Sequence, residues 1–247
     1  MQREEFVQQL WLDYVHTYPD IGALPLWPAD ARVDYLALVT FDQGPFATQA
    51  LLPKLGHMGY RLRHQQDDIE TGCRLTALSP PGNEAWLVLI ELNTKALQDD
   101  ADIALLELVN QAHPQDCKGH NLLCRGRPWP MPSWERYLTL SEAHPLAGWL
   151  AIMGPRIHHA GFDCRALGSP LDALDSAFQA TGMESLDGSA HGLFPSHPAL
   201  VSRFYPTLGQ KVVFGHGDEH RLCLGGLGVN QVCASDRRRS VEVMWAA

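Results

Sequence analysis

The pattern of apolar and polar positions predicts a strand-rich module in the first half of the chain. Residues 34–41 form a nearly unbroken apolar run rich in β-branched and aromatic side chains, which predicts a buried strand. A turn and Pro45 follow, and apolar residues at helical spacing predict a helix that ends by residue 57. Three further strands are predicted at residues 60–63, 73–78 and 85–92. The first module, residues 33–93, is therefore predicted to be strand, helix and three strands.

The same order of elements returns in the second half. Residues 156–164 predict a strand, and Ser169 is placed to cap a helix that starts at Pro170 and ends near Gly182. Shorter strands are predicted at residues 200–205, 211–214, 221–224 and 229–234. The glycine-rich stretch between the two middle strands predicts a hairpin turn. The second module, residues 155–236, thus repeats the organisation of the first.

The remaining segments are predicted to be helical. Apolar residues at helical spacing favour an amphipathic helix at residues 3–17 and a helical connection, residues 97–154, between the modules. We expect one globular domain, residues 1–247, of the α+β class with a pocket between the modules.

Composition and charge narrow the possible partners. The chain has 247 residues, 45% of them apolar, and a net charge of −9, which argues against nucleic acid as a partner. The basic run at residues 237–239 is short, and we expect a solvated end there. No apolar stretch approaches the roughly 20 residues that cross a bilayer, and no signal-peptide pattern is present. A cytoplasmic protein with no membrane partner is expected, and the sequence leaves its oligomeric state open.

Several stretches resemble one enzyme family. Residues 126–129, 134–137 and 154–159 are similar to the central signature of the 2-oxoadipate dioxygenase/decarboxylase (hydroxyglutarate synthase-like) family, and residues 34–41 resemble its first strand. This family belongs to the vicinal-oxygen-chelate, or glyoxalase-like, superfamily. The resemblance spans most of the chain and implies two βαβββ modules whose sheets curl around a metal.

The resemblance also implies a set of ligand positions. In the family, the first strand of each half supplies a histidine and a late strand supplies a glutamate, which together form a 2-His-1-carboxylate site for Fe(II). An arginine four residues after the first histidine pairs with the substrate carboxylate. In this chain His159 matches the second histidine, Tyr35 the first, Val39 the arginine and Gln231 the glutamate.

Three of these four positions have lost the chemistry that the family uses. A phenol must lose a proton near pH ~10 before it binds a metal well, and a glutamine amide carries no charge. A valine cannot hold a carboxylate, whereas an arginine does so bidentately. Of the other cations, Arg127 and Arg156 are placed to hold an acidic ligand, although surface ion pairs explain them equally well.

Two main functions remain open from the sequence. The first is a divergent non-haem iron 2-oxo acid dioxygenase/decarboxylase with a degraded site, holding Fe(II) if that site is retained. The second is a metal-free protein that binds or responds to a small molecule, with a 2-oxo acid as one candidate. A third hypothesis joins His159 to a shifted metal set that includes His57, His64 or Glu91. Strand alternation predicts that His158 points away from His159.

Overall fold

The computed structural model of the chain describes residues 3–24, 32–98, 100–113, 115, 120–187, 194–233 and 236–246. The helices are α1 Arg3–Thr17, α2 Pro19–Gly22, α3 Thr48–His57, α4 Ala101–Val109, α5 Trp134–Ala143, α6 Pro145–Met153, α7 Leu171–Gln179 and α8 Ser240–Met244. The strands are β1 Tyr35–Phe41, β2 Arg61–Asp68, β3 Cys73–Ser79, β4 Trp86–Leu92, β5 Arg156–Asp163, β6 Leu186–Asp187, β7 Leu200–Pro206, β8 Gln210–Val213, β9 Glu219–Leu222 and β10 Gly226–Val232. Short 3₁₀ turns occupy Gly44–Phe46, Thr94–Ala96 and His120–Cys124.

Within the described residues, eight strands form one mixed sheet in the order β2-β3-β4-β1-β5-β10-β7-β6. In each half, the first strand pairs in parallel with the last, as β1 does with β4 and β5 with β10. The two halves meet where β1 and β5 pair antiparallel at the centre of the sheet. The predicted α+β architecture of two βαβββ modules is therefore confirmed.

The predicted hairpin is also confirmed, because β8 and β9 pair antiparallel as a separate two-stranded sheet. In the chain this hairpin connects β7 to β10. Apolar strands such as β1 and β4 are buried along their whole length, which explains why their sequences do not alternate. None of the described helices combines the length and the apolar character needed to span a membrane.

The structure corrects two predicted details of the helices. Within the predicted helical connection of residues 97–154, α5 and α6 are separate helices, because His144 adopts an extended conformation and Pro145 begins a new helix. The second-module helix begins at Leu171, with Pro170 as an extended N-cap that makes no side-chain cap bond, so Ser169 does not cap it.

The basic run near the end of the chain is not simply a solvated end. Arg239 precedes α8, and its Nε donates to the Oδ1 atom of Asp34 at 2.8 Å. The Oδ2 atom of Asp34, which is 3% exposed, accepts hydrogen bonds from the Ser240 hydroxyl and from the Val241 backbone N–H. These contacts anchor α8 to the start of β1.

Candidate functional site

A cavity of about 130 Å³ lies where the two modules join, against β1, β5, β7 and β10. Its polar groups come from four strands, and two phenylalanines supply much of the apolar wall. The side chains that the argument below uses are Tyr35, His159, Phe194, Ser202, Phe204 and Asn230.

Tyr35 enters the cavity from the first residue of β1 and is 2% exposed. A Cβ atom on Gly161 would lie 1.9 Å from its ring, and one on Gly228 would lie 2.6 Å from its hydroxyl. Glycine at these two positions is therefore what gives the tyrosine room. Burial raises the pKa of the Tyr35 hydroxyl well above its usual range, and the neighbouring Asn230 side chain opposes this only in part.

His159 lies beside Tyr35, with the two ring centroids 5.7 Å apart and the rings nearly perpendicular. The pairing of β5 with β1 is irregular here, because Ala37 lies opposite His159 while Leu38 lies opposite Ile157. His158 is thus the extra residue of a β-bulge, which interrupts the alternation of side chains.

The expectation that His158 points away from His159 is wrong for that reason. The two Nδ1 atoms are 3.0 Å apart, and both imidazoles are buried. At this distance one nitrogen must carry the hydrogen and the other must accept it. The bulge therefore makes the two histidines a hydrogen-bonded pair, of which His159 lines the cavity.

Asn230 closes the other side of the cavity from β10. Its Oδ1 atom accepts a hydrogen bond of 2.7 Å from the Ser202 hydroxyl on β7. Its Nδ2 atom is buried and forms no hydrogen bond of normal length and angle within the described residues, but the side chain is close enough to the Tyr35 hydroxyl to favour the phenolate. A buried amide N–H without a partner costs about 1–3 kcal/mol, so this group favours a bound acceptor in the cavity.

Gln231, which the family resemblance places at the glutamate position, does not face the cavity. Its Oε1 atom accepts a hydrogen bond of 2.7 Å from the backbone N–H of Leu171, at the start of α7. Neighbouring residues of a strand point to opposite faces, so Asn230 occupies the cavity position instead. Asn230, and not Gln231, is therefore the β10 residue that lines the cavity.

The other residues that the resemblance singled out do not line the cavity. Val39 is completely buried in β1. Arg127 donates to backbone carbonyls, including that of Ile152 at 2.5 Å. Arg156 is paired with Asp13 of α1 at 2.5 Å. Arg156 thus connects β5 to α1, and Arg127 connects the loop before α5 to the end of α6.

The side chains at the cavity fit Fe(II) poorly. Tyr35, His159 and Asn230 offer one imidazole, one phenol held protonated by burial, and one neutral amide. The Nδ1 atom of a second lining histidine, His197, accepts the Ala199 N–H at 3.1 Å, and no carboxylate of the described residues lines the cavity to offset the metal's charge. No cluster of three His, Cys, Asp or Glu residues suited to a metal occurs in the part of the chain that the structure describes.

The shifted metal set does not assemble around His159 either. His57 is exposed, with its Nδ1 atom 2.6 Å from the Pro53 carbonyl. His64 packs against Trp245, with ring centroids 5.3 Å apart. Glu91 accepts a hydrogen bond from the Thr48 backbone N–H. None of the three lines the cavity.

Comparisons with known proteins identify the fold. The chain matches no protein-family model and no functionally curated protein. It is similar in structure to a provisionally assigned hydrolase from Shewanella frigidimarina NCIMB 400, with a TM-score of 0.80, 17% identity and coverage of 96% of this chain and 95% of the other. It is also similar to the hydroxyglutarate synthase from Oryza sativa, solved with 2-oxoadipate (TM-score 0.79, 15% identity, 92% and 79% coverage).

A third similar structure is a provisionally assigned glyoxalase-superfamily protein from Ralstonia eutropha JMP134, with a TM-score of 0.71, 15% identity and coverage of 95% and 85%. Together these similarities show that the chain has the glyoxalase-like vicinal-oxygen-chelate fold. Structural similarity at 15–17% sequence identity identifies the fold but not the activity.

Sequence reasoning missed Asn230, Phe194 and Phe204 as cavity residues. A signal for Asn230 was present, because Gly226 and Gly228 precede it at two-residue intervals and so share its face. Gly226 gives room to Phe204, whose ring would lie 2.1 Å from a Cβ atom there.

Proposed function

We propose that this protein binds a small, uncharged ligand in the cavity between its modules and does so without a metal. The Nδ2 atom of Asn230 carries the proposal, because it is a buried amide donor that lacks a well-formed hydrogen bond and belongs to a residue lining the cavity. Its ligand would offer a hydrogen-bond acceptor, such as a carbonyl oxygen, at that point. The fold is shared with hydroxyglutarate synthase, and the proposed function departs from that enzyme's chemistry.

The walls of the cavity support a flat ligand. The Phe194 ring lies 5.5 Å from that of Tyr35 and 5.3 Å from that of His159, and Phe204 lies 5.4 Å from His159. Such rings favour planar partners. The volume of about 130 Å³ is below the roughly 300 Å³ at which pockets for drug-sized ligands begin, which favours a small metabolite.

The charges around the cavity disfavour a carboxylate such as a 2-oxo acid. Arg203 lines the cavity, but its guanidinium is paired with Asp175 at 2.8 Å. Val39 stands where the family has its substrate-binding arginine. A carboxylate in this cavity would be desolvated without a dedicated cation to compensate it.

The first test measures metal content and turnover. Protein purified without a metal-affinity tag is analysed for metals and then supplied with Fe(II) and 2-oxoadipate while oxygen is monitored. We expect substoichiometric iron and no oxygen consumption above the buffer rate. Stoichiometric, tightly bound iron together with oxygen consumption would overturn the proposal.

The second test compares a neutral ligand with its anionic counterpart. Benzamide and benzoate have nearly the same shape, and we expect benzamide alone to raise the melting temperature in a saturable way. Asn230→Leu, which keeps the branched shape of the side chain but removes the amide, is expected to abolish the shift. Gln231→Leu, one residue further along and outside the cavity, serves as the matched control and should retain it. Tighter binding of benzoate would contradict the assignment of an uncharged ligand.

The third test examines which residue of β10, Asn230 or Gln231, faces the cavity. Tyr35→His combined with Asn230→Glu would place two imidazoles and a carboxylate around the cavity, and we expect Fe(II) affinity to rise by about a hundredfold or more. Tyr35→His combined with Gln231→Glu adds the same groups, but with the carboxylate directed toward α7. We expect no gain from this control pair. Equal gains in Fe(II) affinity in both variants would contradict the assignment of Asn230 as the β10 residue that faces the cavity.

A further inference from the structure

A second cavity, of about 330 Å³, lies near the start of β1 and the end of β5, and no described residue lines both it and the cavity at Tyr35. Its wall is unusual for a chain with a net charge of −9, because it contains four arginines and only two carboxylates. The arginines are Arg32, Arg165, Arg237 and Arg239.

Two of the arginines are already neutralised by buried aspartates. Arg239 donates from Nε to Asp34 at 2.8 Å and from its terminal nitrogens to the backbone carbonyls of Glu84 and Asp34. Arg165 holds the Asp163 carboxylate with a closest distance of 2.6 Å. These pairs give the cavity a fixed wall with little net charge.

The aspartates are also satisfied by groups other than the arginines. Asp34 accepts from the Ser240 hydroxyl and the Val241 N–H, and Asp163 accepts from the Ser240 N–H at 3.1 Å. Both side chains are less than a tenth exposed. Neither carboxylate is therefore available to neutralise a further cation.

Arg32 and Arg237 remain uncompensated. Both are exposed, and neither makes an ion pair with any residue of the described ranges. Asn83 adds a side-chain amide to the same wall. Two guanidiniums without counter-ions at one cavity amount to two positive charges and a set of forked N–H donors.

We propose that this cavity binds a small dianion, either a phosphate group or a dicarboxylate, between Arg32 and Arg237. The planar fork of each guanidinium matches the spacing of two oxygen atoms in either ligand. The two Asp–Arg pairs keep the wall in place, and the charge of the ligand balances the two free cations. This site is independent of the ligand proposed for the cavity at Tyr35.

The test titrates sodium phosphate, sodium succinate and sodium chloride at matched ionic strength and follows the melting temperature of the whole chain. Phosphate or succinate should raise it in a saturable way beyond the effect of chloride. In Arg32→Ala with Arg237→Ala we expect the affinity to fall by about tenfold or more. Arg61→Ala with Arg63→Ala removes two exposed arginines from β2 and is expected to keep wild-type affinity.

The outcomes separate clearly. Saturable binding of phosphate alone assigns the site to phosphorylated ligands, and binding of succinate alone assigns it to dicarboxylates, provided that the Arg32 and Arg237 variant loses it. A response no greater than that of chloride overturns the proposal. So does a response that the Arg61 and Arg63 variant loses to the same extent. Because Arg32 and Arg237 are exposed, their replacement is expected to leave folding intact, which the melting curve without ligand verifies.

Discussion

The two modules share one contact between their last strand and their helix, and they differ in the strand residue that precedes this contact. In the first module Glu91, near the end of β4, accepts a hydrogen bond from the Thr48 N–H at the start of α3. In the second, Gln231, near the end of β10, accepts one from the Leu171 N–H at the start of α7. In each case a polar side chain of the last strand satisfies a free N–H in the first turn of the module's own helix.

The modules differ in the residue that precedes this contact. In β4 it is Ile90, which lies opposite Val39 in the parallel pairing and is 1% exposed. In β10 it is Asn230, which lines the cavity together with Tyr35 and His159. The comparison teaches that Gln231 has a structural task equivalent to that of Glu91, and that the β10 side chain at the cavity comes from the residue before it.

The largest effect is expected from placing a charge at Val39, a completely buried position of β1 in the first module. Val39→Arg introduces the residue type that the resemblance to the 2-oxoadipate dioxygenase/decarboxylase family implies at this position, but here it would bury a guanidinium among apolar side chains. We expect the free energy of unfolding to fall by about 3 kcal/mol or more, measured by urea denaturation. Val39→Ile, as the control, should change it by less than about 1.5 kcal/mol. Wild-type stability of the arginine variant would show that this face is as open as that of the second module.

A smaller effect is expected when each helix-capping side chain is truncated. Glu91→Ala removes a buried charged acceptor and leaves the buried Thr48 N–H without its partner, which should cost about 2–3 kcal/mol. Gln231→Ala removes a neutral, partly exposed acceptor and should cost about 1 kcal/mol. Equal costs, determined under identical urea conditions, would show that the difference in charge and burial between the two acceptors does not set their contributions to stability.

The smallest effect is expected from giving the second module the same carboxylate acceptor that Glu91 provides in the first. Gln231→Glu places a carboxylate at the N-terminus of α7, where the helix dipole should stabilise it by about 0.5 kcal/mol at neutral pH. This interaction lowers the pKa of the carboxyl in the folded state, so the gain is present above its ordinary pKa of about 4.3 and is lost as the pH falls below it. Melting temperatures of the variant and the wild type at pH 7 and pH 3.5 provide the measurement. A gain that persists at pH 3.5 would exclude the dipole as its cause.

Much of the fold could be predicted, and little of the site. Strands as apolar as β1 and β4 stand out from the sequence, and the repeated order of strand, helix and strands identified the modules. The ends of elements were less accessible, because the break at His144 and the contacts of Arg239 with Asp34 depend on local geometry and on residues more than 200 positions apart. Within the site, Tyr35 and His159 were found through a resemblance, whereas Asn230 was not.

The sequence by itself determined which segments are strands and helices and that they occur twice, because burial imposes its period directly on the order of residues. Only the tertiary structure decided which polar side chains meet. A shift of one position moves a strand residue to the opposite face of the sheet. Contacts outside the strand decide the face in both cases here: the irregular pairing with β1 places His158 in a bulge, and the N-terminus of α7 binds Gln231.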